Sequence, residues 1–106
     1  MKKICSFIIN DRVYTIFDVD KIYGQKSYVG QTDYNTKTIY IENGLFEEKV
    51  ITLKHELVHV WLYEMGYTYQ GTELCFCVED VCEISAFSND FINFVTNKYI
   101  KYVKDK

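Results

Sequence analysis

A run of apolar residues at three- and four-residue steps most constrains the fold of this chain. Its members are Val50, Leu53, Leu57, Val58, Trp61, Leu62 and Met65. Because an α-helix completes a turn in about 3.6 residues, this spacing predicts one amphipathic helix with a single apolar face. Glu47 and Glu48 fall in the expected first turn, where the positive end of the helix dipole favours acids, and Gly66 follows the expected last turn.

The segments before this helix predict β-strands. Residues 13–19 and 38–41 are rich in β-branched and aromatic side chains, and a polar turn at residues 33–35 precedes the second of them. Strands followed by helices indicate an α+β fold, with a small antiparallel or mixed sheet in the N-terminal half.

A second helix is predicted after the first. Residues 67–74 contain glycine and polar residues and are expected to form a loop. A helical pattern resumes from about Phe76, and residues 98–106 either continue this helix or fray from it. Its core-facing stripe is expected to be Val81, Ile84, Ser88, Phe91 and Val95.

Composition is typical of one globular domain covering residues 1–106. The chain has 106 residues, 48% of them hydrophobic and 25% charged, which suits one core and leaves no room for two. The net charge of −3 disfavours a nucleic-acid surface, which needs clustered Lys and Arg. The apolar run at residues 4–9 is too short for an export or membrane segment. We therefore expect a cytoplasmic protein with reduced thiols and neither nucleic-acid nor membrane partners.

Residues 55–59 match the pattern H-E-x-x-H and lie within the first predicted helix. Side chains four positions apart share one helix face, so both imidazoles can reach a single tetrahedral zinc ion. Glu56 lies about 100° around the helix from His55, where it can hold a metal-bound water and take its proton. The alternative is two unrelated histidines, but this pattern rarely arises by accident, and both histidines of the chain fall within it.

A catalytic zinc ion needs a third protein ligand, and the chain has no third histidine. The second helix and the segment before it offer acids and thiols: Glu79, Asp80, Glu83, Asp90, Cys75, Cys77 and Cys82. A glutamate from this helix would complete the ligand set of many zinc hydrolases. Cys75 and Cys77 would instead favour a closed structural site. Cys82 is expected to be a small buried core residue.

Residues 38–60 and 79–87 resemble the zincin-like metallopeptidases, and within them the small ImmA/IrrE-like domains of bacterial mobile elements and phages. The first stretch is similar to an edge strand followed by the active-site helix, and the second to a glutamate-bearing helix. The resemblance implies a minimal zincin-like fold. It also implies that Glu79 is the third zinc ligand, with Glu83, one turn later, as the fallback. Finally, it implies that the substrate pairs with the strand at residues 38–42 and so adds one strand to the sheet.

The same resemblance implies a zinc-dependent metallopeptidase of the gluzincin type. His55, His59 and Glu79 would hold Zn²⁺, and Glu56 would activate the water. The substrate would be a protein or peptide, for example a repressor-like regulator of a phage or mobile element.

Two further questions stay open at this stage. The reaction needs a donor to stabilise the oxyanion, and Tyr67 and Tyr69 are candidates in the predicted loop. The alternative function is a non-catalytic protein-interaction module stabilised by zinc. Glu56 disfavours it, because a purely structural site needs no glutamate at that position.

Overall fold

The computed structural model describes residues 1–22, 29–67 and 78–104. In these residues the chain forms four strands and then two helices: β1 (Lys2–Ile9), β2 (Arg12–Val19), β3 (Gly30–Asp33), β4 (Thr38–Glu42), α1 (Phe46–Glu64) and α2 (Val78–Lys104). The predicted α+β class, with a mixed sheet in the N-terminal half, is confirmed.

The four strands form one sheet in the order β1-β2-β4-β3. β2 and β4 are parallel, and the two outer pairs are antiparallel. β1 and β2 are joined by the two residues Asn10 and Asp11, whose φ angles of 54° and 63° suit the tight turn of a β-hairpin. The sheet edges in the described part of the chain therefore belong to β1 and β3.

This strand order corrects one sequence prediction and adds two strands. β2 and β4 confirm the strands expected at residues 13–19 and 38–41. The expected role of residues 38–42 as an edge strand is wrong, because β4 pairs with β2 on one side and with β3 on the other. β1 and β3 were not predicted.

Helix α1 agrees with its sequence pattern. Glu47 and Glu48 lie in its first turn, and Gly66 follows its end with a φ of 81°, a conformation that glycine adopts without strain. Helix α2 continues to Lys104, so the lysine-rich segment extends the helix as far as the structure describes it. The expected loop after residue 67 and the expected helix start near Phe76 lie outside the described residues.

The buried face of α2 agrees with the predicted stripe except at its start. Ile84, Ser88 and Val95 are buried. Val81 shares the face of Ile84 but precedes the first buried residue of α2, and it is 51% exposed. The prediction that Cys82 belongs to the core is wrong: it is exposed, because two residues correspond to about 200° of helix rotation from Ile84.

The core lies between one face of the sheet and the two helices. α1 packs against β3 and β4, α2 packs against β1, and the helices contact each other. The largest fully buried side chains are Tyr14, Tyr99, Ile16, Ile39, Ile41, Leu53, Leu57, Val60 and Val95. This arrangement places the helix that carries H-E-x-x-H beside the β3 edge of the sheet. No helix of the described residues is long and apolar enough to cross a membrane.

Candidate active site

The two histidines of the motif converge on one point at the surface of α1. Both are exposed, and their Nε2 atoms are 3.1 Å apart. Two nitrogens bound to one tetrahedral zinc at about 2.0–2.1 Å would lie about 3.3 Å apart. The pair therefore fits a shared zinc ion with little movement of either ring.

Glu56 faces away from the solvent and towards the edge strand. It is buried, with 8% of its surface exposed. Its Oε1 accepts a hydrogen bond of 2.8 Å from the Thr32 hydroxyl on β3. The motif thus divides between two environments: the imidazoles reach the surface while the carboxylate between them lies against the sheet.

Glycine at position 30 permits the close approach of β3 to α1. A Cβ atom placed on Gly30 would lie 2.5 Å from the Thr52 Cγ2 and 3.3 Å from the Glu56 Oε2. The first distance is a clash, and the threonine side chain is too stiff to move aside cheaply. A residue without a side chain is therefore needed at this point of the edge strand.

The turn after β3 brings a tyrosine to the same side of α1. The Asp33 Oδ1 accepts hydrogen bonds from the backbone N–H groups of Asn35 and Thr36, at 2.9 and 3.2 Å, which fixes the turn. The Tyr34 ring stacks on Tyr63 with centroids 4.3 Å apart. Burial raises the pKa of Tyr34 to about 12, and the charge of Glu56 and the phenol of Tyr63 act in the same direction. Tyr34 therefore keeps its proton at neutral pH and can donate a hydrogen bond.

The acids expected to supply a third ligand lie at the start of α2. Glu79 is exposed in the first turn. Glu83 accepts a hydrogen bond of 3.1 Å from the Tyr67 hydroxyl, and Tyr67 stacks on Trp61 of α1. Glu83 is thus linked to the carboxyl end of α1.

The structure brings the two histidines together but does not join an acid to them. Within residues 1–22, 29–67 and 78–104, no three His, Cys, Asp or Glu side chains form a group that could hold a metal ion. Cys75, Cys77 and Tyr69 lie outside the described residues, so the structural zinc site and this oxyanion donor stay predictions.

Sequence reasoning missed three residues of this site: Gly30, Thr32 and Tyr34. All three belong to β3 or its turn, a strand that the sequence pattern did not reveal because Gly30–Asp33 contains only one β-branched residue. The polar turn at residues 33–35 was the one available sign of β3, since a turn before β4 suggests a preceding strand that pairs with β4.

Tyr67 is an oxyanion candidate from the sequence, because it lies in the predicted loop between the two helices. In the structure its hydroxyl donates to Glu83, whereas the phenol of Tyr34 is close enough to the general-base candidate to feel its charge. Tyr34 is therefore a further candidate donor among the described tyrosines.

The arrangement combines a surface nitrogen pair suited to zinc, a carboxylate on the next residue, and the strand β3, which in the described part of the chain pairs only with β4. These are the parts needed to bind an extended chain and to move a proton next to a metal ion. No family model, curated protein or solved structure shows a significant match to this chain.

Proposed function

We propose that this chain is a zinc-dependent metallopeptidase of the gluzincin type with a minimal zincin-like fold. The observation that carries the proposal is the convergence of the His55 and His59 Nε2 atoms to 3.1 Å at the surface of α1, next in sequence to Glu56, whose carboxylate lies against β3. His55, His59 and Glu79 would hold Zn²⁺. When bound, zinc polarises a carbonyl oxygen and lowers the pKa of water towards neutrality.

Glu56 is the proposed general base and acid. It accepts the proton of the attacking water and later passes it to the leaving amine, which requires a carboxylate within hydrogen-bond reach of both. Its contact with β3 supports this role, because the hydrogen bond from Thr32 holds the carboxylate in one orientation.

The edge of β3 is the proposed binding place for an extended peptide. β3 pairs only with β4 in the described part of the chain, so the backbone groups on its other side can bind a substrate strand. This moves the proposed substrate strand from residues 38–42, which lie inside the sheet, to Gly30–Asp33. Tyr34, at the end of this strand, is the proposed donor to the oxyanion. A repressor-like regulator of a phage or mobile element is the proposed substrate, from the family resemblance of the motif residues.

Metal content tests the site. We expect about one zinc per purified chain, measured by elemental mass spectrometry, and its loss in His59→Ala. Lys54→Ala is the matched control, because Lys54 is exposed on the same helix. A parent chain that takes up no zinc at neutral pH would contradict the metal centre and favour the interaction-module alternative.

The third ligand is tested by comparing two acids of α2. We expect Glu79→Ala to weaken zinc retention strongly and Glu83→Ala to weaken it less. Asp90→Ala, which removes another exposed acid of α2, is the control. The opposite ranking of Glu79 and Glu83 would assign the ligand to Glu83.

Cleavage tests the activity itself. The zinc-loaded parent is incubated with a peptide library, and new amino termini are identified by mass spectrometry. Cleavage that disappears in Glu56→Gln while zinc is retained would support the proposed peptidase. Cleavage that persists in Glu56→Gln would contradict the role of Glu56.

A further inference from the structure

The carboxylate of Glu56 is bound to the edge strand through a side chain. The Thr32 hydroxyl donates to the Glu56 Oε1 at 2.8 Å across the gap between β3 and α1. Thr32 is half-buried, so this bond is partly shielded from competing water. A hydrogen bond to a charged acceptor is stronger than one between neutral groups.

The second oxygen of this carboxylate lies beside the same strand. The Glu56 Oε2 is 3.3 Å from the position that a Cβ atom on Gly30 would occupy. Residues 30 and 32 share one face of the strand, because side chains alternate along it. The strand therefore contacts one carboxylate oxygen through a hydroxyl and leaves room around the other.

The described residues offer Glu56 no cation. Their two ion pairs are Arg12–Glu64 and Lys49–Asp18. Among the described side chains, Thr32 is therefore the one whose hydrogen bond orients the Glu56 carboxylate.

We infer that Thr32 is a positioning residue for Glu56, holding the Oε1 atom so that the Oε2 atom is presented to the reacting water. This inference rests on the proposed peptidase function. It links two parts of the site, because the strand that would bind the substrate also sets the orientation of the proposed base. A fixed carboxylate needs no reorientation when the substrate arrives, which is how positioning groups accelerate a reaction.

The first test separates kcat from KM with two substitutions at one position. Thr32→Val keeps the shape and removes the hydroxyl, whereas Thr32→Ser keeps the hydroxyl. We expect kcat to fall on the order of 10- to 100-fold in Thr32→Val, the scale expected when a reacting group is misplaced, and KM to change by less than about twofold. Thr32→Ser should restore most of kcat.

The control is Thr15→Val, which makes the same change on β2, outside the proposed site, where the Thr15 hydroxyl shares a hydrogen bond with the Ser6 hydroxyl. It should leave kcat close to that of the parent. A Thr32→Val variant with the parental kcat, or a Thr32→Ser variant as slow as Thr32→Val, would overturn the inference.

The second test needs neither activity nor metal. In the zinc-free protein, the melting temperature is measured for Thr32→Val, for Glu56→Ala and for the double variant. If the two side chains are bonded, Thr32→Val should lower the melting temperature less on the Glu56→Ala background than in the parent. Additive losses would overturn the inference.

The two failures are distinguishable. A zinc-loaded parent that cleaves no peptide contradicts the proposed function. A parent that cleaves, combined with a parental kcat in Thr32→Val or with additive losses of melting temperature, contradicts the role of Thr32 alone.

Discussion

Asp18 and Glu56 are both buried carboxylates between the sheet and the helices, but their surroundings differ. Asp18 has 6% of its surface exposed. Its Oδ2 accepts a hydrogen bond of 2.7 Å from the Lys49 Nζ, and its Oδ1 accepts one of 2.8 Å from the Tyr99 hydroxyl. Glu56 has 8% of its surface exposed, and among the described side chains only the Thr32 hydroxyl donates a hydrogen bond to it. A cation neutralises the first carboxylate, and a neutral group orients the second.

The difference separates an acid with a structural role from the proposed general base. A buried charge that is paired and hydrogen-bonded is stabilised by its partners. The partners of Asp18 join β2 to α1 and α2. No cation of the described residues pairs with Glu56 in this way. Asp18 therefore supports the fold, while Glu56 stands beside the exposed histidine pair.

The largest expected effect is on activity and comes from Glu56→Gln. We expect the cleavage rate to fall on the order of 10²- to 10⁴-fold, the usual contribution of a general base. The melting temperature should stay equal or rise, because an amide is easier to bury than an unpaired carboxylate. Circular dichroism melts and cleavage assays on the same sample measure both. A marked loss of stability would mean that Glu56 is a structural acid like Asp18.

Asp18→Asn should show the reverse pattern. Removing one partner of a buried ion pair leaves Lys49 without compensation, so the free energy of unfolding should fall by about 3 kcal/mol. Urea unfolding measures this loss. Asp20→Asn is the control, since Asp20 is exposed on the same segment. An Asp18→Asn variant as stable as the parent would remove the distinction between the two acids.

Gly30→Ala should have an intermediate effect on stability. The added methyl group meets the Thr52 Cγ2 at 2.5 Å, so β3 must move away from α1, at a cost of about 1–3 kcal/mol. Gly44→Ala is the matched control, because its Cβ meets only the Glu48 Oε2 at 3.8 Å. Adding Thr52→Ser, which removes the clashing methyl, should recover much of the loss, as measured by urea unfolding.

If Gly30→Ala is instead as stable as Gly44→Ala, β3 packs less tightly against α1 than the distances at Gly30 imply. The orientation of Glu56 by the edge strand would then lose its physical basis.

The smallest expected effect is on the free energy of unfolding in mild alkali, and it comes from the Tyr99 phenol that is hydrogen-bonded to Asp18. Burial, followed by the hydrogen bond to Asp18, raises the pKa of Tyr99 above its ordinary value near 10. Above that pH the unfolded chain loses a proton that the folded chain retains, so stability falls as pH rises. We expect the free energy of unfolding to decline from pH 9 to about 10.5, and the decline to be shallower in Tyr99→Phe.

Tyr102→Phe is the control for this measurement, because Tyr102 is exposed on the same helix. A decline with the same slope in Tyr99→Phe would contradict the contribution of the buried phenol.

Local patterns predicted the parts of the fold that depend on one segment alone. The apolar spacing of α1 and its flanking Glu47, Glu48 and Gly66 fixed that helix, because each feature acts within a few residues. The β-branched and aromatic residues of β2 predicted that strand for the same reason. His55 and His59 could be paired from spacing, since four residues place them on one face of any helix.

Pairing between distant segments was not visible in the sequence. Nothing within residues 38–42 tells that β4 lies inside the sheet, since this depends on the short polar strand β3. Thr32 and Tyr34 became site residues through the same strand. Cys82 was misplaced because the general preference of cysteine for the interior gave way to the rotation of α2, which turns it outward.

The β3, β4 and α1 elements that surround Glu56 come from one uninterrupted stretch of chain, residues 30–64. In contrast, the Tyr99–Asp18 and Lys98–Ser6 hydrogen bonds join positions 81 and 92 residues apart. Closing a longer loop costs more chain entropy, so contacts between near neighbours tend to form earlier during folding. We therefore expect the contacts between β3 and α1 around Glu56 to form before the carboxyl-terminal part of α2 packs against β1 and β2. The proposed general base would then take its place early in folding, and the contacts of α2 with these strands would form late.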